Sequence, residues 1–143
     1  MQIDPHQDLE LDLDIDIALR TSVPVLISGT PDDTMRVAMT IARSDDNGPG
    51  STLVVADAAQ VRSVPSTLAV GAGRGIVLLR DIELLDSRQQ EWLIETILTR
   101  CRTASPPEWR LITTTSVPLA GVVATGGFAP RLFYLLNAIH IML

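Results

Sequence analysis

With 143 residues, 46% of them hydrophobic, and a net charge of −6, the sequence reads as one ordinary globular core. A disordered chain would be less apolar, and a nucleic-acid surface would need clustered positive charge. All eleven basic residues are arginine, so the chain contains no lysine, and five aromatic residues leave no base-stacking platform.

Other classes fall away on similar grounds. Apolar runs such as Val23 to Ile27 are far too short to span a bilayer. The opening MQIDPHQDLE lacks the basic start and apolar centre of a secretion signal. Cys101 is alone, which rules out an internal disulfide, and His6 and His140 are too few for a zinc site. No metal, no membrane contact and a cytoplasmic location are the expectations.

Residues 1–18 form an acidic and aliphatic N-terminal segment, within which residues 8–17 read DLELDLDIDI. Period two fits a strand with one aliphatic and one acidic face, whereas Leu9, Leu13 and Ile17 would line one side of a helix. The sequence leaves both open. Such charges suit an exposed edge that resists sticking, or a segment that adds a strand to a basic partner.

From residue 19 to 143 the signals become regular and predict one α/β domain. Val23 to Gly29 reads as a buried strand ending in glycine, and residues 31–43 as a helix with Met35, Ala38, Met39 and Ala42 on one face. The loop SDDNGPGS over residues 44–51 leads to strands at Thr52 to Ala56 and Gly75 to Leu79. Residues 87–102 give the clearest helix, with Ile94, Ile97, Leu98 and Cys101 in one stripe. Ser105 to Pro107 connects to a strand over Trp109 to Thr114, a short helix over Pro130 to Leu136 and a last strand over Ala138 to Leu143. Continuous apolar strands alternating with helices imply a mostly parallel sheet covered on both faces.

Sheets of this kind bind ligands beyond the carboxyl ends of their strands. A phosphate-binding loop after the first strand would read G-x-x-x-x-G-K-[ST]. The sequence has Gly29-Thr-Pro-Asp-Asp-Thr-Met-Arg36, which keeps the first glycine but neither the second nor the lysine. Thr30 suits an N-cap, Pro31 the first helical position, and Asp32 and Asp33 the first turn. Those two carboxylates occupy the pole that would otherwise attract phosphate. Thr34 stands in place of the second glycine, and Arg36 falls one residue past the lysine position.

Five segments, in order and spacing, resemble the AAA+ core of bacterial enhancer-binding proteins, the activators of sigma-54 RNA polymerase. VPVLISG (Val23 to Gly29) is similar to the strand before the family's phosphate loop, and LVVADAAQ (Leu53 to Gln60) to the strand that follows. GRGIVLLRDIELLDSRQQEWL (Gly73 to Leu93) resembles the segment with the magnesium aspartate and catalytic glutamate. WRLITTTSVPL (Trp109 to Leu119) resembles the sensor strand, and GGFAPRLFYLLNAIHI (Gly126 to Ile141) the arginine-finger helix and next strand. The resemblance implies an α/β fold of three layers (αβα) around a mostly parallel five-stranded sheet, P-loop NTPase/AAA+-like. The chain stops where the family continues into a helical lid, so that subdomain is expected to be absent.

The departures are as systematic as the match. Arg80 stands at the magnesium aspartate and Asp81 at the glutamate, and a shift of one residue would place Asp81 and Ile82 there instead. Ser116 replaces the sensor asparagine, Ala129 and Leu135 replace two finger arginines, and Arg131 lies nearby where aspartate is usual. Between Gln60 and Gly71 about ten residues stand where the family inserts its sigma-contacting loop. The implied reading is a degenerate AAA+ domain without catalysis, cofactor or direct nucleic-acid contact. Its partner would be a protein, an AAA+ relative or a second copy, and the oligomeric state stays open. The competing reading is a divergent ATPase in which Arg36 substitutes for lysine and ATP with magnesium are the cofactors, although arginine is planar and bulkier than lysine.

Rival constellations fit less well. A receiver domain would use Asp32, Asp33 and Asp57 but typically needs a lysine on its last strand. Gly71 to Gly75 precedes a strand, the wrong side for a dinucleotide turn. Asp81, Glu83 and Asp86 suggest a metal cluster, and a solvated loop followed by a helix start explains them equally.

Overall fold

Three successive residues of the first strand, Val25, Leu26 and Ile27, are fully buried, so both faces of the sheet are covered at that point. The computed structural model describes residues 24–44, 52–60, 75–102 and 109–143. The strands are β1 (Val25–Ser28), β2 (Thr52–Asp57), β3 (Gly75–Arg80), β4 (Trp109–Thr115) and β5 (Ile139–Met142). They lie in the order β2-β3-β4-β1-β5, and every neighbouring pair is parallel. Parallel neighbours need crossover connections, and the described helices lie on three of the four connections: α1 (Pro31–Ser44) between β1 and β2, α2 (Ser87–Arg102) between β3 and β4, and α3 (Leu119–Ala124) and α4 (Pro130–Leu136) between β4 and β5.

Alternation along the strands divides the core in two. Val25 and Ile27 join Ile76, Leu78, Ile112 and Ile141 on one face, where Val37, Ala38 and Ile41 of α1 close the layer. Leu26 joins Val77, Leu79 and Leu111 on the other, covered by Leu93, Ile94 and Ile97 of α2 and by Leu132 and Leu136 of α4. Burying each such leucine or isoleucine contributes about 1.5–3 kcal/mol relative to exposure. The three-layer parallel architecture expected from the sequence is therefore present.

Two details differ from expectation. The deepest stripe of α1 is Val37, Ala38 and Ile41, and Met35, Met39 and Ala42 lie at its edge, half-buried. Helix α3 has no counterpart in the sequence reading. On α2, Ile94 and Ile97 are buried and Leu98 packs beside them as expected. The acidic segment 8–17, the loops 45–51 and 103–108, and the glycine-rich stretch before β3 lie outside the described residues. Among the described residues, no helix is long and apolar enough to cross a membrane.

Connectivity fixes where a site belongs. Strand β1 sits between β4 and β5, and α1 leaves it onto one face of the sheet. The chain leaving β3 and β4 passes onto the opposite face through α2, α3 and α4. The carboxyl ends of β1 and β4 therefore frame the crevice where open α/β sheets bind ligands.

Candidate functional site at the carboxyl ends of the strands

Only Gly29 and Thr30 separate β1 from α1. The Gly29 N–H donates to the Thr115 carbonyl at 3.1 Å, and the Leu143 N–H donates to the Ser28 carbonyl at 2.8 Å. A Cβ at Gly29 would stand 2.9 Å from the Leu143 Cβ, so this close approach requires glycine. Thr30 caps the helix as its sequence implies: its Oγ1 accepts from the Asp33 N–H at 3.3 Å, and its carbonyl accepts from the Thr34 N–H at 2.9 Å.

The remaining first-turn side chains are engaged locally. Thr34 is buried and its hydroxyl donates to the Pro31 carbonyl at 3.1 Å. Arg36 reaches back to Asp33 at 3.0 Å in an exposed ion pair, and Asp32 is exposed beside it. Met35, one residue before Arg36, packs against the core under α1. The six residues from Gly29 to Arg36 singled out in the sequence thus come together as a capped helix start carrying two carboxylates at its positive pole.

The turn after β3 has a different character. Arg80 ends the strand opposite Asp57 of β2, with Nε 3.5 Å from Oδ1 and both side chains about one-third exposed. Asp81 follows in the left-handed region at φ 55° and ψ 53°, and its N–H donates to Thr114 Oγ1 at 3.3 Å. Burial raises the Asp81 carboxyl above the usual carboxylate range, the negative charges of Glu83 and Asp57 add to this, and Arg80 opposes it. Ser116 is exposed, and its Oγ donates to Glu83 Oε1 at 3.3 Å. The other oxygen of that carboxylate, Oε2, is buried without a hydrogen-bond partner.

Asp86 belongs to another task. It exchanges hydrogen bonds with Gln89, each 2.8 Å long, in a reciprocal box that starts α2. No group of three acidic, histidine or cysteine side chains among the described residues is arranged to hold a metal ion. Asp81, Glu83 and Asp86 are therefore not brought together as ligands.

At the far side of the crevice, Ala129 precedes α4 and its N–H donates to Gln90 Oε1 at 2.8 Å. The Gln90 amide nitrogen donates to the carbonyls of Leu85, at 2.9 Å, and Gly127, at 3.4 Å. Gln90 is buried, so it staples the start of α2 to the loop that launches α4. Of the finger-region residues, Arg131 is exposed and Leu135 packs half-buried against the core. Sequence reasoning missed Gln90, although a glutamine in the buried stripe of Leu93, Ile94 and Ile97 is a visible signal. It also missed the pair formed by Ser28 Oγ and His140 Nε2, 2.6 Å apart, which ties β5 to β1.

Sheet order, one-sided placement of α1 and a crevice at the β1 and β4 ends define an α/β domain of the P-loop NTPase and AAA+ type. Residues 9–143 match the sigma-54 interaction domain family, and the chain belongs to that family. In fold it is similar to the P-loop NTPase domain of the sigma-54 transport activator from E. coli, with 19% identity and a TM-score of 0.74 over 99% of this chain and 96% of that one. It is also similar to NtrX from Brucella abortus, solved in complex with ATP, with 18% identity and a TM-score of 0.74, covering 99% of this chain and 38% of NtrX. A third likeness is to the Thermotoga maritima RuvB Holliday junction branch migration motor, with 17% identity and a TM-score of 0.68, covering 99% of this chain and 45% of RuvB. The chain thus spans little more than a third of NtrX and under half of RuvB. At these identities the likeness is one of fold. Among curated proteins, none matches the sequence.

Proposed function

We propose that this sigma-54 interaction domain is a regulatory protein-binding module of bacterial transcription or signalling that does not turn over nucleotide. The observation that carries the reading is the junction between β1 and α1. The N–H groups of Asp33 and Thr34 are answered by Thr30, and Asp32 and Asp33 sit where a phosphate would have to bring further negative charge. Arg80, Ser116, Ala129 and Leu135 support the same reading, because each replaces a family residue with one unable to perform its chemistry. Loss at one position would suggest an unusual enzyme, and change at all of them suggests an unused site. The partner on this reading is a protein, an AAA+ relative or a second copy, met in the cytoplasm. Calorimetric titration with magnesium and ATP should give no heat of binding; micromolar affinity would sink the proposal.

A second reading has one observation in its favour: the fold matches NtrX, which has been solved with ATP. On that reading the chain is a divergent ATP-binding domain in which Arg36 supplies the positive charge. Arg36 would first have to release Asp33. Phosphate release compared between the parent and Arg36→Ala decides it, since equal background rates eliminate a role for the guanidinium.

A further inference from the structure

Three carboxylates gather where β2 and β3 end, and one guanidinium stands among them. Asp57 and Arg80 are register partners on adjacent parallel strands, so their side chains leave the same face of the sheet. Arg80 Nε lies 3.5 Å from Asp57 Oδ1. Asp81 follows in the left-handed region with its N–H on Thr114 Oγ1, and Ser116 holds one oxygen of Glu83. The charges of Asp57 and Glu83 both reach Asp81, and Arg80 is the positive charge that opposes them.

Gathered carboxylates are commonly balanced by a hard divalent cation, and the resemblance to activator domains implies magnesium at this turn. The donor set does not fit it. Magnesium takes oxygen ligands in near-octahedral geometry at about 2.0–2.1 Å, whereas residue 80 offers only N–H donors and a permanent positive charge. Among the described residues, no three acidic, histidine or cysteine side chains are arranged around a common point that could hold an ion.

We infer that the Arg80 guanidinium is a tethered cation, which takes the place of a divalent ion at this turn and keeps such ions away from Asp57. Exclusion needs charge and not a strong ion pair. A divalent ion seated against Asp57 would stand about 4 Å from the guanidinium, where repulsion even at the dielectric constant of water weakens binding roughly thirtyfold. The partial exposure of both side chains therefore leaves the effect in place, although added salt weakens it. The turn also carries its counter-charge at every ion concentration. The inference goes beyond the proposed function, because it concerns the free ion and is tested without nucleotide. Either can fail while the other stands.

The test is titration of the full chain with Mn²⁺ at low ionic strength, read by paramagnetic broadening of amide signals in NMR. In the parent, Asp57 and Asp81 should broaden no more than an exposed acidic residue elsewhere, such as Glu91. Arg80→Met keeps much of the bulk and removes the charge, and Arg80→Asp sets a second carboxylate beside Asp57. In both variants Asp57 and Asp81 should broaden selectively, at Mn²⁺ concentrations roughly tenfold or more below those needed in the parent. Adding Asp57→Asn to Arg80→Asp should remove most of that gain. Arg80→Lys retains the charge and should exclude the ion as the parent does. The rest of each amide spectrum reports that the variant is folded. Selective broadening at Asp57 in the parent at the concentrations that act on Arg80→Asp would overturn the inference. So would an Arg80→Met chain that excludes the ion, or an Arg80→Lys chain that admits it.

Discussion

Two turns leave the carboxyl end of the sheet, one after β1 and one after β3, and their local chemistry is opposite. The first satisfies itself: Thr30 caps α1, Thr34 is buried and bonded, and Arg36 answers Asp33. The second holds a left-handed aspartate, a carboxyl pushed up by burial and like charge, and a buried glutamate oxygen without a partner. Both turns occupy positions where the resemblance to activator domains places nucleotide chemistry. Strain and unanswered polar groups cost about 1–3 kcal/mol each and persist where something else holds them in place. The first turn is an ordinary capped helix start, whereas the second holds its residues under tension.

Beyond the second turn, Gln90 ties the start of α2 to the loop that launches α4, and its removal should have the largest effect. Gln90→Ala leaves the Ala129 N–H and the Leu85 carbonyl without their partner, which should cost about 3 kcal/mol in urea unfolding. Hydrogen exchange at the Ala129 amide should quicken as well. A loss below about 1 kcal/mol would show that the staple is dispensable. The matching lesion at the first turn is Gly29→Ala, whose Cβ meets Leu143 at 2.9 Å. It should cost about 1–3 kcal/mol, and Leu143→Gly should return much of that loss. A double-mutant cycle with coupling under about 0.5 kcal/mol would dismiss the clash as the cause.

The difference between the turns also explains what the sequence made legible. All five strands and the helices α1, α2 and α4 follow from apolar runs, helical stripes and turn residues, because each signal is local. Helix α3 does not: LAGVVA is six residues long, holds a glycine and two β-branched valines, and has no side-chain cap. The capped start of α1 was readable because Thr30, Pro31, Asp32 and Asp33 are neighbours in the chain. The turn after β3 was not, since Asp81 meets Thr114 and Glu83 meets Ser116, each 33 residues away, and Gln90 meets Ala129 from 39. Only tertiary placement creates those contacts.

A pair of smaller substitutions should move stability in opposite directions. Thr30→Ala removes a satisfied cap and should cost about 1 kcal/mol. Asp81→Gly relieves a left-handed backbone at φ 55° and should gain about 0.5–1 kcal/mol at neutral pH. Charge is separable from strain through Asp81→Asn, since asparagine tolerates the same backbone region. The folded chain raises the Asp81 pKa, so it holds that proton more tightly than the unfolded chain does. The associated stability is full below the ordinary carboxylate pKa and is lost as pH rises through the raised value. Relative to the parent, Asp81→Asn should therefore gain as pH climbs through that window. A flat difference across pH would assign the turn's tension to backbone alone.

The smallest effect belongs to Arg80→Ala. Its ion pair with Asp57 is partly exposed and long at 3.5 Å, so losing it should cost no more than about 0.5 kcal/mol. Its informative readout is the neighbouring carboxyl. Arg80 is the one charge that lowers the Asp81 pKa against burial, Glu83 and Asp57, so its removal should push that pKa further up. Carboxyl titration followed by NMR would register the shift even where unfolding barely changes. If Asp81 titrates unchanged, the guanidinium is not the counter-charge of this turn, and burial with the charges of Glu83 and Asp57 must govern it.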